Sequence, residues 1–325
     1  MDRKKLYPWY FTSGALVIFF LLCFLPGIIG IFYSFTDWNN FSSEVNFVGL
    51  KNYIEVFRGK PEYRTYIWNT VTFTVVTTAL KTIVGLGLAL LLTQKIIKFK
   101  NLHRMIIFSP QVMSYLVVGL VFKSMLHPTT GFLNNFLRTM GLDILTKNWL
   151  TDLKVVFPTV MAVDTWKGMG YIMVVIIAGI MSIAPEYYEA ASIDGATFWQ
   201  KFKSITLPLL KPIIVNVTVL NVTYGFRVFD MIYSLTNGGP GNATGVINTA
   251  VYKEFQKEIM QWVQPCLVFY SLYYYYCYII FLNPWKIRRL KLNEEFKENY
   301  KVNSSKYCNN IYKFNNINTI SGFIS

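Results

Sequence analysis

Three ionisable side chains stand inside long apolar runs: Lys81 in VTTALKTIVGLG, and Asp164 and Lys167 in VMAVDTWKGMG. Charges in such runs are costly and point either to a solute path or to pairing inside a helical bundle. Lys81 suits a path, or a stem that snorkels or pairs within the bundle. Asp164 and Lys167 are three residues apart, so on one helix they share a face and can neutralise each other. With Trp166 between them they also make a patch suited to a sugar, because sugar rings favour aromatic stacking plus hydrogen bonds. Asn216, Thr218, Asn221, Thr223 and Tyr224 make the run at 208–229 polar. Asn221 and Tyr224 fall on one face and are the best lining candidates for a hydrophilic solute, the alternative being hydrogen bonds between helices. The substrate-path candidates are therefore Lys81, Asp164, Trp166, Asn221 and Tyr224. Other chemistry has little material. Among residues 1–260 the acids cluster only at Glu186, Glu189 and Asp194, and His103 and His127 are the only histidines. A His-rich metal site is excluded, and Cys23, Cys266, Cys277 and Cys308 have no paired or ligand-like spacing. No GxxxxGK[ST] occurs, so the chain lacks that phosphate-binding machinery. No catalytic, cofactor-binding or metal-binding residue is assigned.

The elements that must carry these residues follow from composition. The 325 residues are 53% hydrophobic and 15% charged, well below the roughly 25% charge of soluble domains. The net charge of +14 sits mostly beside apolar runs, which fits the positive-inside rule and not a nucleic-acid partner. Six runs approach the roughly 20 apolar residues that a bilayer requires: 10–33, 68–92, 105–125, 156–180, 208–229 and 262–282. The first is too long for a signal-peptide core and lacks a small-residue cleavage site, so it reads as a retained span. Basic residues flank alternate ends: Arg3, Lys4 and Lys5; Lys95, Lys98, Lys100 and Arg104; Lys201 and Lys203; Lys286, Arg288, Arg289 and Lys291. The expected fold is an all-α polytopic membrane protein with six transmembrane helices. Both termini, and the charged loop between helices 4 and 5, are expected on the cytoplasmic side of a cell membrane.

That loop, EYYEAASIDGATFWQKFKSITLPLLKP at 186–212, has its own grammar. Pro185 interrupts the fourth run and opens a short helix, with Glu186 at its positive end. Gly195 after Asp194 marks a stop or turn. A second short amphipathic helix comes next, with Phe198, Trp199, Phe202 and Ile205 at helical spacing, and Leu207-Pro208 is expected to end it and begin the fifth span. Physics alone is met equally well by an interfacial helix on anionic headgroups.

The same stretch resembles a signature of the permease subunits of bacterial binding-protein-dependent ABC importers. That signature is Glu-Ala-Ala, three residues, Gly, nine residues, then Ile-x-Leu-Pro, and Glu189-Ala190-Ala191, Gly195 and Ile205-Thr206-Leu207-Pro208 match every spacing. FLPGIIGIFYSFTDWN, FVGLKNYIEVF and FDMIYSLTNGGPGNATGVINTAVYKEF are similar to segments of the sugar-permease branch, of the maltose and glycerol-phosphate type. The resemblance covers residues 1 to about 260. It implies a coupling helix that docks in a cleft of an ATP-binding subunit, through Glu189, Ala190, Ala191, Asp194, Gly195, Ile205, Leu207 and Pro208, with Phe198, Trp199 and Phe202 as interface aromatics. It also implies a second homologous permease subunit, two ATP-binding subunits that hold the nucleotide, and an extracytoplasmic solute-binding protein delivering a carbohydrate or polyol. A different class, an integral membrane enzyme such as a lipid-linked transferase, would need clustered acids or metal ligands near the interface. The one acid cluster matches the coupling signature instead.

Residues 1–260 therefore read as the permease domain, 261–283 as an aberrant sixth span, and 284–325 as a disordered tail. QWVQPCLVFYSLYYYYCYIIFL departs from the Gly-, Ala- and Leu-rich last helix that the resemblance implies. Among permissible codons for QWVQPCLVFY, a skip of two bases yields Met-Gly-Thr-Ala-Leu-Leu-Ser-Ile-Leu. Tyr codons shifted in this way become Leu codons, which suits lipid better than clustered phenols. A frameshift near codon 260 is expected to appear when the gene is resequenced. A single confirmed frame through codon 325, with normal transport by a product of that mass, would refute it.

Overall fold

The structure, a computed structural model, describes residues 10–38, 44–59, 61–94 and 97–256. Among them every regular element is helical. In chain order these are α1 (Tyr10–Phe19), α2 (Leu25–Tyr33), α3 (Lys51–Arg58), α4 (Pro61–Thr93), α5 (Lys100–Val112), α6 (Tyr115–Met125), α7 (Phe132–Thr139), α8 (Val156–Met181), α9 (Pro185–Ile193), α10 (Phe198–Lys201), α11 (Leu207–Arg227), α12 (Asp230–Thr236) and α13 (Ile247–Gln256). Four helical stretches among the described residues are long and apolar enough to cross a bilayer: Thr12–Tyr33, Pro61–Thr93, Val156–Met181 and Phe198–Arg227. The expected sixth span at 262–282 and the tail lie outside the described residues.

Two helices run through π turns, Phe20–Phe24 between α1 and α2 and Phe202–Thr206 between α10 and α11. In both, a proline comes two residues later, Pro26 and Pro208. Proline donates no hydrogen bond, and its ring crowds the carbonyl four residues back. Widening that turn moves the carbonyl aside and lets the helix continue. This corrects the expectation that Leu207-Pro208 ends one helix and starts another: the segment from Phe198 to Arg227 is continuous.

The third expected span, 105–125, is not one straight helix. It divides into α5 and α6, which meet at 98°. Pro110 lies in the last turn of α5, and Met113 (ψ 144°) and Ser114 (ψ 141°) are extended. A proline near a helix end, succeeded by two extended residues, leaves no ladder to carry the helix onward.

α4 is the central strut, packed against α8 and α11, while α5 lies on α8 and α6 on α12. Two apolar layers form around it. One holds Phe73 with Val160, Val163, Met231, Ile232 and Leu235. The other holds Ala89 with Ile172, Ile176, Leu210 and Val217. Lys81, Asp164 and Lys167 occupy the α4 and α8 positions between these layers, and all are buried. Close crossings rest on small residues, which lipid-embedded bundles favour. A Cβ on Gly225 would meet Thr74 at 2.8 Å, and one on Gly85 would meet Ile172 at 2.7 Å. Thr70, Thr74 and Thr77 turn their hydroxyls onto the carbonyl four residues back, so much of α4's polarity is satisfied by its own backbone.

The loop from α12 to α13 is folded down onto α4. Asn237, Gly238, Gly241 and Asn242 have φ of 50°, 80°, 54° and 68°, the left-handed region where Gly and Asn are at home. Thr244 Oγ1 donates to Gly239 O at 2.9 Å. Asn69 Nδ2 donates to Ala243 O at 3.0 Å and Gly245 O at 2.9 Å, and Ile247 N donates to Thr70 Oγ1 at 3.0 Å. Asn69→Leu leaves two carbonyls unpaired and is expected to cost about 1–3 kcal/mol. Hydrogen exchange at residues 242–247 should speed up selectively, whereas unchanged protection there would deny Asn69 this role.

Candidate functional site

The loop after α8 builds the first candidate site. Pro185 is the first residue of α9, as its fixed φ predicts. Gly195 lies just beyond it at φ +73° and places Ala196 N on Ala191 O at 2.9 Å and its own N on Ser192 O at 3.1 Å. This is the glycine-terminated helix end expected from sequence. Thr197 then caps α10: Gln200 N donates to Thr197 Oγ1 at 3.4 Å, and Thr197 N donates to Gln200 Oε1 at 2.7 Å. The reciprocal pair is a capping box. Two clasps tie α9 to the returning chain. Lys201 Nζ donates to Ser192 Oγ at 2.7 Å, and the Tyr188 and Thr206 hydroxyls meet at 3.0 Å. Thr206 is buried and belongs to the π turn. Neither clasp has a signature in the residue pattern.

The projection presents an apolar face among charges. Tyr187, Ile193, Phe198 and Trp199 are 58%, 87%, 59% and 66% exposed. Phe202 is half-buried and stacks on Trp199 at 5.2 Å between ring centroids. Glu189, Ala190, Asp194 and Gly195 are exposed, Ala191 is partly covered, and a Cβ at Gly195 would meet nothing within 4 Å. Ile205 is half-buried, and Leu207 and Pro208 are exposed at the entry to α11. Large exposed aromatics beside small residues form a surface that another protein can approach closely.

The second candidate site is the polar layer. Asp164 does not pair with Lys167, as their spacing suggested; it forms an ion pair with Lys81, 2.6 Å across α4 and α8. Tyr224 of α11 donates from its hydroxyl to the other Asp164 oxygen at 2.8 Å, and the Lys81 ammonium lies 4.5 Å from the Tyr224 ring centroid. Three of the five path candidates are thus brought together. Trp166 is on the opposite face, edge-on to Phe122 at 5.1 Å. Asn221 turns back to donate to Val217 O of its own helix at 2.9 Å. Lys167 reaches away from Asp164, to Gln111 O at 3.2 Å and over the Tyr115 ring at 3.8 Å. Gln111 and Tyr115 were not singled out from sequence, although Pro110 beside them marks the break that brings them there.

Several apolar helices that could each cross a bilayer, a charged layer between their two apolar cores and a helical projection beside them define a polytopic membrane protein. The family model for the binding-protein-dependent transport system inner membrane component matches residues 81–282. The chain belongs to that family and is a transport subunit, not an enzyme. The probable ABC transporter permease protein YurN of Bacillus subtilis (strain 168) is 38% identical over 262 residues, 80% of this chain and 89% of that protein. The arabinooligosaccharides transport system permease protein AraP of the same strain is 36% identical over 74% of this chain and 75% of its own length. A crystal structure of a bacterial alginate ABC transporter in complex with alginate pentasaccharide-bound periplasmic protein contains a chain similar at a TM-score of 0.73 and 25% identity, covering 84% of this chain and 91% of that one.

Proposed function

We propose that this chain is one membrane half of a carbohydrate importer, and that α9, Gly195 and α10 are its coupling element. The observation that carries the reading is the clasped, aromatic projection bearing Glu189-Ala190-Ala191, Gly195 and Ile205-x-Leu-Pro208. It is held rigid from within, and it exposes Phe198 and Trp199 where a partner can seat on them. In this reading the projection is cytoplasmic, six helices cross the membrane, and both termini are on the cytoplasmic side. ATP is bound by two partner subunits, a second homologous permease completes the path, and an extracytoplasmic binding protein delivers the solute. A carbohydrate is favoured because relatives carry names for arabinooligosaccharide transport and for trehalose and maltose transport, and the similar solved transporter is described with a bound alginate pentasaccharide. Residues 1–260 serve as the transport domain.

The test uses proteoliposomes containing this chain, its ATP-binding subunits and its permease partner. Addition of the sugar-loaded binding protein should raise ATP hydrolysis and drive uptake of labelled maltotriose or arabinotriose. Failure of the loaded binding protein to stimulate either activity would reject the reading.

A further inference from the structure

The break between α5 and α6 needs an account, because a helix interrupted at membrane depth exposes backbone groups that lipid cannot satisfy. The last carbonyls of α5 lack partners within their own helix and carry its negative dipole end. Lys167 is placed against that end. It is 2% exposed, its ammonium donates to Gln111 O of α5 at 3.2 Å, and it lies 3.8 Å from the ring centroid of Tyr115, the first residue of α6. One cation therefore touches both halves of the bent segment. Its carboxylate neighbour is engaged elsewhere, by Lys81 and Tyr224.

The flanking helices are held separately. A Cβ on Gly170 of α8 would collide with Ile107 O of α5, and one on Gly119 of α6 would collide with Ser234 of α12. Each half is thus pressed onto a different neighbour, and Lys167 spans the junction between them. Tyr115 continues the connection. Its ring stacks on Tyr224 at 5.7 Å with an 18° interplanar angle, and Tyr224 holds Asp164.

We propose that Lys167 is the positioning residue for the bent α5–α6 segment. Its ammonium sets the angle by holding the α5 carbonyl end and the Tyr115 ring at once, and the Tyr115–Tyr224 stack ties that angle to the Asp164–Lys81 pair. Straightening the segment takes either the carbonyl or the ring out of reach, so the two contacts together resist it. Arginine can satisfy both contacts; methionine cannot donate to the carbonyl and places no charge over the ring.

The test is a spin-label distance measurement on the full chain in nanodiscs, co-purified with its partner subunits, in a background whose four cysteines are serine. One label pair, at Leu102 and Leu120, reports the bend; a reference pair, at Val75 and Val174, reports α4 against α8. Both Leu positions are more than half exposed. The bend pair should give one narrow distance distribution in the native chain, in Lys167→Arg and in Tyr115→Phe. It should broaden or shift in Lys167→Met and in Tyr115→Leu, with the reference pair unchanged. Should Lys167→Met fail to assemble, the Tyr115 variants decide alone. A native distribution in Lys167→Met or in Tyr115→Leu, or broadening of both pairs together, overturns the proposal.

Discussion

Gly195→Asp is expected to abolish uptake while the chain remains in the membrane at its native level. At φ +73° a side chain costs about 1–2 kcal/mol in backbone strain, and aspartate is among the residues that bear it best. A Cβ there meets nothing within 4 Å, so no packing is disturbed. The damage falls on whatever seats against α9 and α10, where a bulky charge would be buried without a partner. Gly195→Asn fills the same space without the charge and should lose less. Glu189→Lys reverses an exposed charge and should behave like the aspartate variant. Uptake with membrane quantification distinguishes these outcomes, and normal uptake by correctly inserted Gly195→Asp protein would end the coupling reading.

Asp164→Ala should be the most destabilising substitution in the bundle. It leaves Lys81, 3% exposed, with no counter-charge among apolar layers. Breaking one side of a buried pair costs about 3–5 kcal/mol, whereas replacing both sides with apolar residues is often neutral. The purified protein should therefore melt at a clearly lower temperature with Asp164→Ala and recover in Lys81→Met/Asp164→Leu. An unchanged melting temperature in the single variant would contradict the burial argument. The double variant also separates two roles. Restored stability with restored uptake makes the pair scaffold; restored stability without uptake gives it a part in transport itself.

The loop signature was legible because it is local. Pro185, Gly195 and the Thr197–Gln200 cap act within a few residues, and their types dictate the turn. Four of the expected spans were legible because bilayer length imposes a run of apolar residues. Less legible was the meaning of prolines inside apolar runs. Pro110 breaks its segment, while Pro26 and Pro208 only widen a turn. The backbone around each proline makes the difference: Met113 and Ser114 are extended after Pro110, whereas the helix continues past Pro26 and Pro208. Charge pairing escaped as well. Asp164 and Lys167 share a helix, yet Asp164 is taken by Lys81, distant in sequence and 2.6 Å away in space. Spacing reports which partners are near on one helix, but the packing of α4 on α8 decides which one is nearest.

The wide turn at Phe202–Thr206 has a mechanical consequence. It holds one residue more than an α turn, at the junction between the projection and the polar helix α11. An α-helix advances about 100° and 1.5 Å per residue. The extra residue therefore sets α10 round the axis by roughly that angle relative to an uninterrupted α-helix running into α11. Tyr188 meets Thr206 within this turn, so α9 is fastened at the point where that offset is set, and the face that α10 turns outward follows from the width of a single turn.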